Sequence, residues 1–93
     1  MAPGTRYQRA PGWVWRAFRG SVLVMGPDLD ALQLEGAAAV VWAALDRPAT
    51  VTELVDRGGD VWAGAGGEPA VLADVALEEL VAAGMVTTAH GSA

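Results

Sequence analysis

The residue types that carry catalytic chemistry are scarce in this chain, and where they occur their spacing assembles no reaction centre. The single histidine, His90, lies in a short Gly- and Ser-containing tail, and there is no cysteine. Neither a metal ligand set nor a nucleophile–base–acid triad can be built around it. Glu78 and Glu79 are adjacent, so on a helix they point in different directions, which argues against a paired acid and base and for a wet helix face. The Gly-rich run GAGGEP lacks the Lys and Ser/Thr of a phosphate loop. The expectation is therefore no enzyme, no metal and no cofactor. What remains is backbone chemistry. The stretch SVLVMGPDLDALQL, residues 21–34, ends in a short strand-like run from Asp30 to Leu34. If this run is the last strand of a small sheet, its outer N–H and C=O groups form a template for an extended peptide. Short length and the nearby acids Asp28 and Asp30 are equally the devices by which proteins protect such an edge.

The elements that position this edge can be read along the chain. Met1 to Gly12 is rich in Pro, Gly and Arg and reads as a mobile arm that settles against the sheet only near Tyr7. In Trp13 to Phe18, alternation places Trp13, Trp15 and Ala17 on one face and Val14, Arg16 and Phe18 on the other. Arg19-Gly20 suits a hairpin turn, and Ser21 to Met25 returns as an apolar central strand. After the turn Gly26-Pro27-Asp28, Leu32 and Leu34 fall on one face of the third strand, Ala31 and Gln33 on the other.

The rest of the chain has helical periodicity. Glu35 to Leu45 repeats apolar residues at Ala38, Val41, Trp42 and Leu45, and Asp46-Arg47-Pro48 stops it. Thr50 to Glu53 has the spacing of a capping box, opening a short helix that buries Val51, Leu54 and Val55 and ends near Gly58-Gly59. Asp60 to Gly67 reads as a flexible connector carrying Trp62. From Pro69 a third helix repeats Leu72, Val75, Ala76 and Leu80 and closes at Gly84, with Met85 packing back on Leu80. Residues 89–93 read as a frayed tail. The predicted fold is α+β and winged helix-turn-helix-like, a three-stranded antiparallel sheet followed by three helices. Its domain spans 13–88 between a flexible arm (1–12) and a flexible tail (89–93).

Composition bounds the function. A 93-residue chain forms one domain with a marginal core and little room for a deep pocket. With 53% hydrophobic and 18% charged residues it is globular rather than disordered. The absence of Cys fits a reducing compartment. No run reaches the roughly 18 apolar residues of a membrane helix, and the first residues have no signal-peptide core. A soluble, cytoplasmic protein, monomeric or weakly dimeric, is expected. The net charge is −5 and all six cations are Arg. Nucleic-acid binders concentrate positive charge instead.

The segments RAPGWVWR, VLVMGPDLDALQLEGAAAVVWAALD, ATVTELV and ADVALEELVAAGMV, in this order and spacing, resemble the PqqD-like family of RiPP recognition elements over roughly Tyr7 to Val86. The connector between Val55 and Pro69 departs from the family in its richness in Gly. The resemblance implies a protein that binds the leader region of a ribosomally made precursor peptide. The leader would lie as an added strand on the third strand, in a groove formed with the third helix, for presentation to a modifying enzyme or protease. A free-standing domain of this size is most similar to the stand-alone recognition proteins of lasso-peptide clusters, which work with a transglutaminase-like leader peptidase. A PqqD-type chaperone serving a radical SAM enzyme is the nearest alternative. Carried over by position, the peptide-binding residues would be Leu29, Asp30, Ala31, Leu32, Gln33 and Leu34 on the strand, with Val71, Asp74, Val75 and Glu78 on the helix. The ordinary alternative for Val71 and Val75 is core packing, and for Asp74 and Glu78 a solvated face.

Two further readings stay open. One is a dimerisation module using the same edge. The other is a winged-helix DNA-binding regulator with Pro69 to Ala83 as recognition helix, although every ionised residue of that helix is acidic and would repel phosphate. Random duplex DNA at low salt is therefore expected to show no retardation in a gel-shift assay, and a salt-sensitive shift would favour the regulator.

Overall fold

The computed structural model describes residues 4–18, 21–28, 31–64 and 66–89. Strands β1 (Arg6–Arg9), β2 (Val14–Phe18), β3 (Ser21–Met25) and β4 (Ala31–Leu34) precede helices α1 (Gly36–Ala44) and α2 (Val51–Gly58). A 3-10 turn (Gly59–Gly64), helix α3 (Pro69–Ala82) and strand β5 (Val86–Ala89) complete the order. Strands β2, β3 and β4 form an antiparallel sheet in that order, and β1 pairs antiparallel with β5 in a second, two-stranded sheet. The fold is thus α+β with a three-stranded antiparallel sheet and three α-helices among the described residues.

The second sheet corrects the expected order of strands followed by helices. Arg6–Arg9, read from the sequence as part of a mobile arm, pairs with Val86–Ala89 from Arg6 opposite Ala89 to Arg9 opposite Val86. Tyr7 is buried and also exchanges backbone hydrogen bonds with Ala49, 2.8 and 3.0 Å long. Ala89, read as the start of the frayed tail, is the last residue of β5. The Arg19-Gly20 turn, Leu29, Asp30 and residues 90–93 lie outside the described residues.

The core is one cluster holding Val22 and Val24 of β3, Val41 and Trp42 of α1, Leu54 of α2, Leu77 and Leu80 of α3, and Val86 of β5. Helix α2 starts as its sequence dictates. Thr50 Oγ1 accepts from the Glu53 N–H, and Glu53 Oε1 accepts from the Thr50 N–H. That carboxylate also takes a hydrogen bond from Arg6 at 2.8 Å, fastening β1 to the helix start. The Thr50 N–H, with Arg6 adding to it, holds Glu53 below the usual carboxylate range. Helix α3 ends in a Schellman motif. The N–H of Met85 reaches the C=O of Leu80 and that of Gly84 reaches Val81, with Gly84 in the left-handed conformation at φ 77°.

The connector is regular as far as Gly64, where flexibility was expected. Gly59–Gly64 winds into the 3-10 turn and plugs Trp62 into the core, its indole N–H donating to the C=O of Leu54. Gly58 permits this, since a methyl group there would overlap the indole.

The phase of α3 also differs from expectation. Ala73, Ala76, Leu77 and Leu80 face the core, while Val75 is 48% exposed. Apolar residues lie on both sides of the face that carries Asp74 and Glu78, so the acids leave more than one buried face open and the neighbours decide.

Helix α1 has no basic residue in its last turn. Its C-terminal carbonyls are met by two distant arginines. Arg9 donates to the C=O of Trp42 (2.6 and 3.0 Å) and of Ala43 (3.4 Å), and Arg57 to those of Ala44 (2.8 Å), Arg47 (3.0 Å) and Pro48 (3.3 Å). The Arg9 guanidinium also stacks 4.4 Å from the Trp15 ring centroid and 5.2 Å from that of Trp42. Charged hydrogen bonds contribute about 1.5–3 kcal/mol and partly exposed cation–π contacts about 0.5–1 kcal/mol. Arg9→Ala is therefore expected to cost about 2–4 kcal/mol in urea unfolding, and a loss below about 0.5 kcal/mol would show the stack to be incidental.

Candidate functional site

Strand β4 is the end member of its sheet, paired with β3 alone from Ala31 opposite Met25 to Leu34 opposite Val22. Among the described residues, no backbone hydrogen bond from another segment covers its outer side. In an antiparallel pair the inward and outward backbone groups alternate by residue, so two of the four residues present an N–H and a C=O to solvent. The edge anticipated from sequence is therefore open along Ala31, Leu32, Gln33 and Leu34.

Side chains give the edge two characters. Leu32 and Leu34 pair with Val24 and Val22, so they share the core face of the sheet, yet Leu32 remains 45% exposed because the helices do not extend over it. Gln33 turns to the other face, where its amide donates to Glu35 Oε2 (2.9 Å) and approaches Ser21 Oγ (3.3 Å).

Beside Leu32 lies a groove of about 710 Å³. Trp13, half-buried, lines it and packs against Gly26, so closely that a Cβ on Gly26 would come within 2.8 Å of the ring. Pro27 and Asp28 border it from the turn, and Ala83 and Gly84 from the end of α3. Among the described residues, Asp28 is the one charged residue in its lining. The groove therefore suits an apolar side chain, with a cation favoured at the Asp28 end.

The helix residues carried over from the resemblance are distributed differently. Val71 and Val75 are 59% and 48% exposed, so core packing does not account for them. Glu78 lines a separate hollow of about 320 Å³ with Tyr7, Leu77, Val81, Ala82 and Thr88. Asp74 belongs to that same flank, with one carboxylate oxygen buried and lacking a hydrogen-bond partner. The groove next to β4 meets α3 at Ala83 and Gly84, two turns or so beyond Val75.

Trp13, Gly26, Ala83 and Gly84 were not singled out as site residues by sequence reasoning. Trp13 read as the start of a strand and Gly84 as a helix cap, and no local signal says that these three separate segments meet. No group of three or more metal-ligating side chains occurs among the described residues, and no helix there is long and apolar enough to cross a membrane. No family model, no curated protein and no solved structure matches the chain.

Burial, reinforced by the charges of Asp74 and Glu78, raises the pKa of Tyr7 above its ordinary value of 10.0. A group whose folded pKa is raised lends stability that is full below its unfolded pKa and is lost as pH rises through the folded value. Unfolding free energy is thus expected to fall above about pH 10, and Tyr7→Phe to flatten that fall. An unchanged alkaline limb in Tyr7→Phe would contradict this environment.

Proposed function

We propose that this chain is a peptide-recognition module that captures an extended segment as an added strand on β4, with side chains of the captured segment entering the groove beside Leu32 and Trp13. The observation that carries this reading is the backbone edge of β4, uncovered among the described residues, lying next to a groove of mixed polarity lined by Trp13, Leu32 and Asp28. Its finer form follows the family resemblance. The fold is winged helix-turn-helix-like, the bound segment is the leader of a ribosomally made precursor peptide, and the protein acts by presenting that leader to a leader peptidase or modifying enzyme, in lasso-peptide biosynthesis for preference. The chain itself performs no catalysis in this reading.

Energetics assign separate tasks to edge and groove. About four backbone hydrogen bonds at roughly 0.5–1.5 kcal/mol each give about 2–6 kcal/mol. Micromolar binding needs about 8 kcal/mol, on top of the cost of ordering a flexible leader. Apolar anchors at about 1.5–3 kcal/mol each must supply the difference. The backbone thus sets direction and register, and the groove sets sequence preference. Asp28 at the rim, in a chain of net charge −5, favours a leader with a cation near its anchor.

The test is an NMR titration with a synthetic leader from a short precursor encoded beside this protein's gene. Perturbations are expected to concentrate at Ala31–Leu34, Trp13 and Ala83–Gly84. Leu32→Asp, at an exposed side chain that leaves the backbone ladder intact, is expected to weaken binding about tenfold or more. Binding unaffected by Leu32→Asp, with shifts confined to residues away from β4, would overturn the proposal.

A further inference from the structure

The outer face of the three-stranded sheet is largely apolar, and its large side chains stand exposed among the described residues. Cross-strand partners share a face, so the register that turns Val22 and Val24 inward turns Val14, Phe18, Leu23 and Met25 outward. These four are 65%, 63%, 51% and 37% exposed. Two of them, Phe18 and Leu23, line a shallow hollow of about 380 Å³ together with Arg16, Ser21 and Gln33. A contiguous patch of this kind marks an interaction surface. It lies on the opposite face of the sheet from Leu32.

Charge identifies what fits the patch. Arg16 lies on β2, at one side of the sheet. The carboxylate of Glu35 stands past the end of β4, at the other side, drawn toward the face by its hydrogen bond from Gln33. Two copies can stack face to face about a two-fold axis in two simple ways. An axis across the strands sets β2 over β2 and brings Arg16 against Arg16, with no acid between them. An axis along the strands sets β2 over β4, with Leu23 against Leu23 and Arg16 over Gln33 within side-chain reach of Glu35 of the second copy. The second arrangement also places the large Val14 opposite the small Ala31, which share the Met25 row. Like charges oppose the first arrangement and opposite charges favour the second.

We propose that the chain self-associates as a two-fold dimer through the outer face of this sheet, β2 of each copy lying over β4 of the other, in the aligned geometry of stacked sheets. Three strands about 4.8 Å apart and at most five residues long, at about 3.4 Å each, give a footprint of at most about 14 by 17 Å. This is well below the roughly 800 Å² per partner of a standard interface, so the association is weak and concentration-dependent.

Sedimentation equilibrium from about 10 μM to 1 mM spans the range in which so small an interface would assemble. It is applied to the unmodified chain and to Leu23→Asp, Leu32→Asp, Arg16→Glu, Glu35→Arg and the double variant Arg16→Glu/Glu35→Arg, with circular dichroism verifying the fold of each. Phe18→Ser replaces Leu23→Asp if the latter unfolds. The unmodified chain is expected to dimerise and Leu23→Asp to stay monomeric. Each single charge reversal weakens the dimer several-fold, the double reversal restores it, and Leu32→Asp leaves it intact. A monomer throughout the range, a dimer that survives Leu23→Asp, or a double reversal no better than the single ones overturns the proposal. So does a dimer lost in Leu32→Asp but kept in Leu23→Asp, which assigns the contact to the β4 edge instead.

Discussion

The structure depends on satisfying the C-terminal end of α1. The last carbonyls of any helix have no partner inside it, and a helix end packed into a core without external donors is costly. Helix α1 is composed of Gly, Ala, Val and Trp and cannot supply donors of its own. Arg9 from β1 and Arg57 from α2 do so, and both place a positive charge where the helix dipole is negative. Each guanidinium thereby fixes a second element. Arg9 draws β1 against Trp15 and Trp42, and Arg57 holds α2 to the segment after α1.

From that clasp the distribution of exposed surface follows. With β1 committed to β5 and to Ala49, it does not join the larger sheet, which ends at β2 on one side and β4 on the other. A domain of this size cannot cover every face of two sheets with three short helices. Its helices cover the inner face at Val22 and Val24 and leave the outer face, the β4 edge and the side of Leu32 to solvent. Edges of this kind carry an aggregation risk that natural proteins limit by shortness and nearby charge, and four residues bordered by Asp28 and Glu35 fit that pattern.

Three of the six cations are held by the fold. Arg6 is tied to Glu53, Arg9 to α1 and the two indoles, and Arg57 to three carbonyls and, at 3.7 Å, to Asp46. The acids of α3, by contrast, face outward or toward Tyr7. A chain so arranged offers partners a negative field, which raises the encounter rate with basic segments and lowers it with nucleic acid.

Local order alone determined the parts whose physics is local. The strand runs of β2 and β3, the Thr50–Glu53 capping box, Pro69 at the start of α3 and the Gly84 cap each depend on residues within a few positions of one another, and all are found in the fold. So is the terminal position of β4, because a short strand after a turn and before a helix has one neighbour to pair with. Tertiary structure decided whatever required segments far apart to meet. The pairing of Arg6–Arg9 with Val86–Ala89, the arginine donors on α1 and the groove built from Trp13, Leu32 and Gly84 join residues 13 or more positions apart. The rotation of α3 belongs with them, since apolar residues flank its acidic face on both sides and only the packing of its neighbours selects which of them is buried. Sequence thus determined which backbone edge would be free, and three-dimensional packing decided which side chains stand beside it.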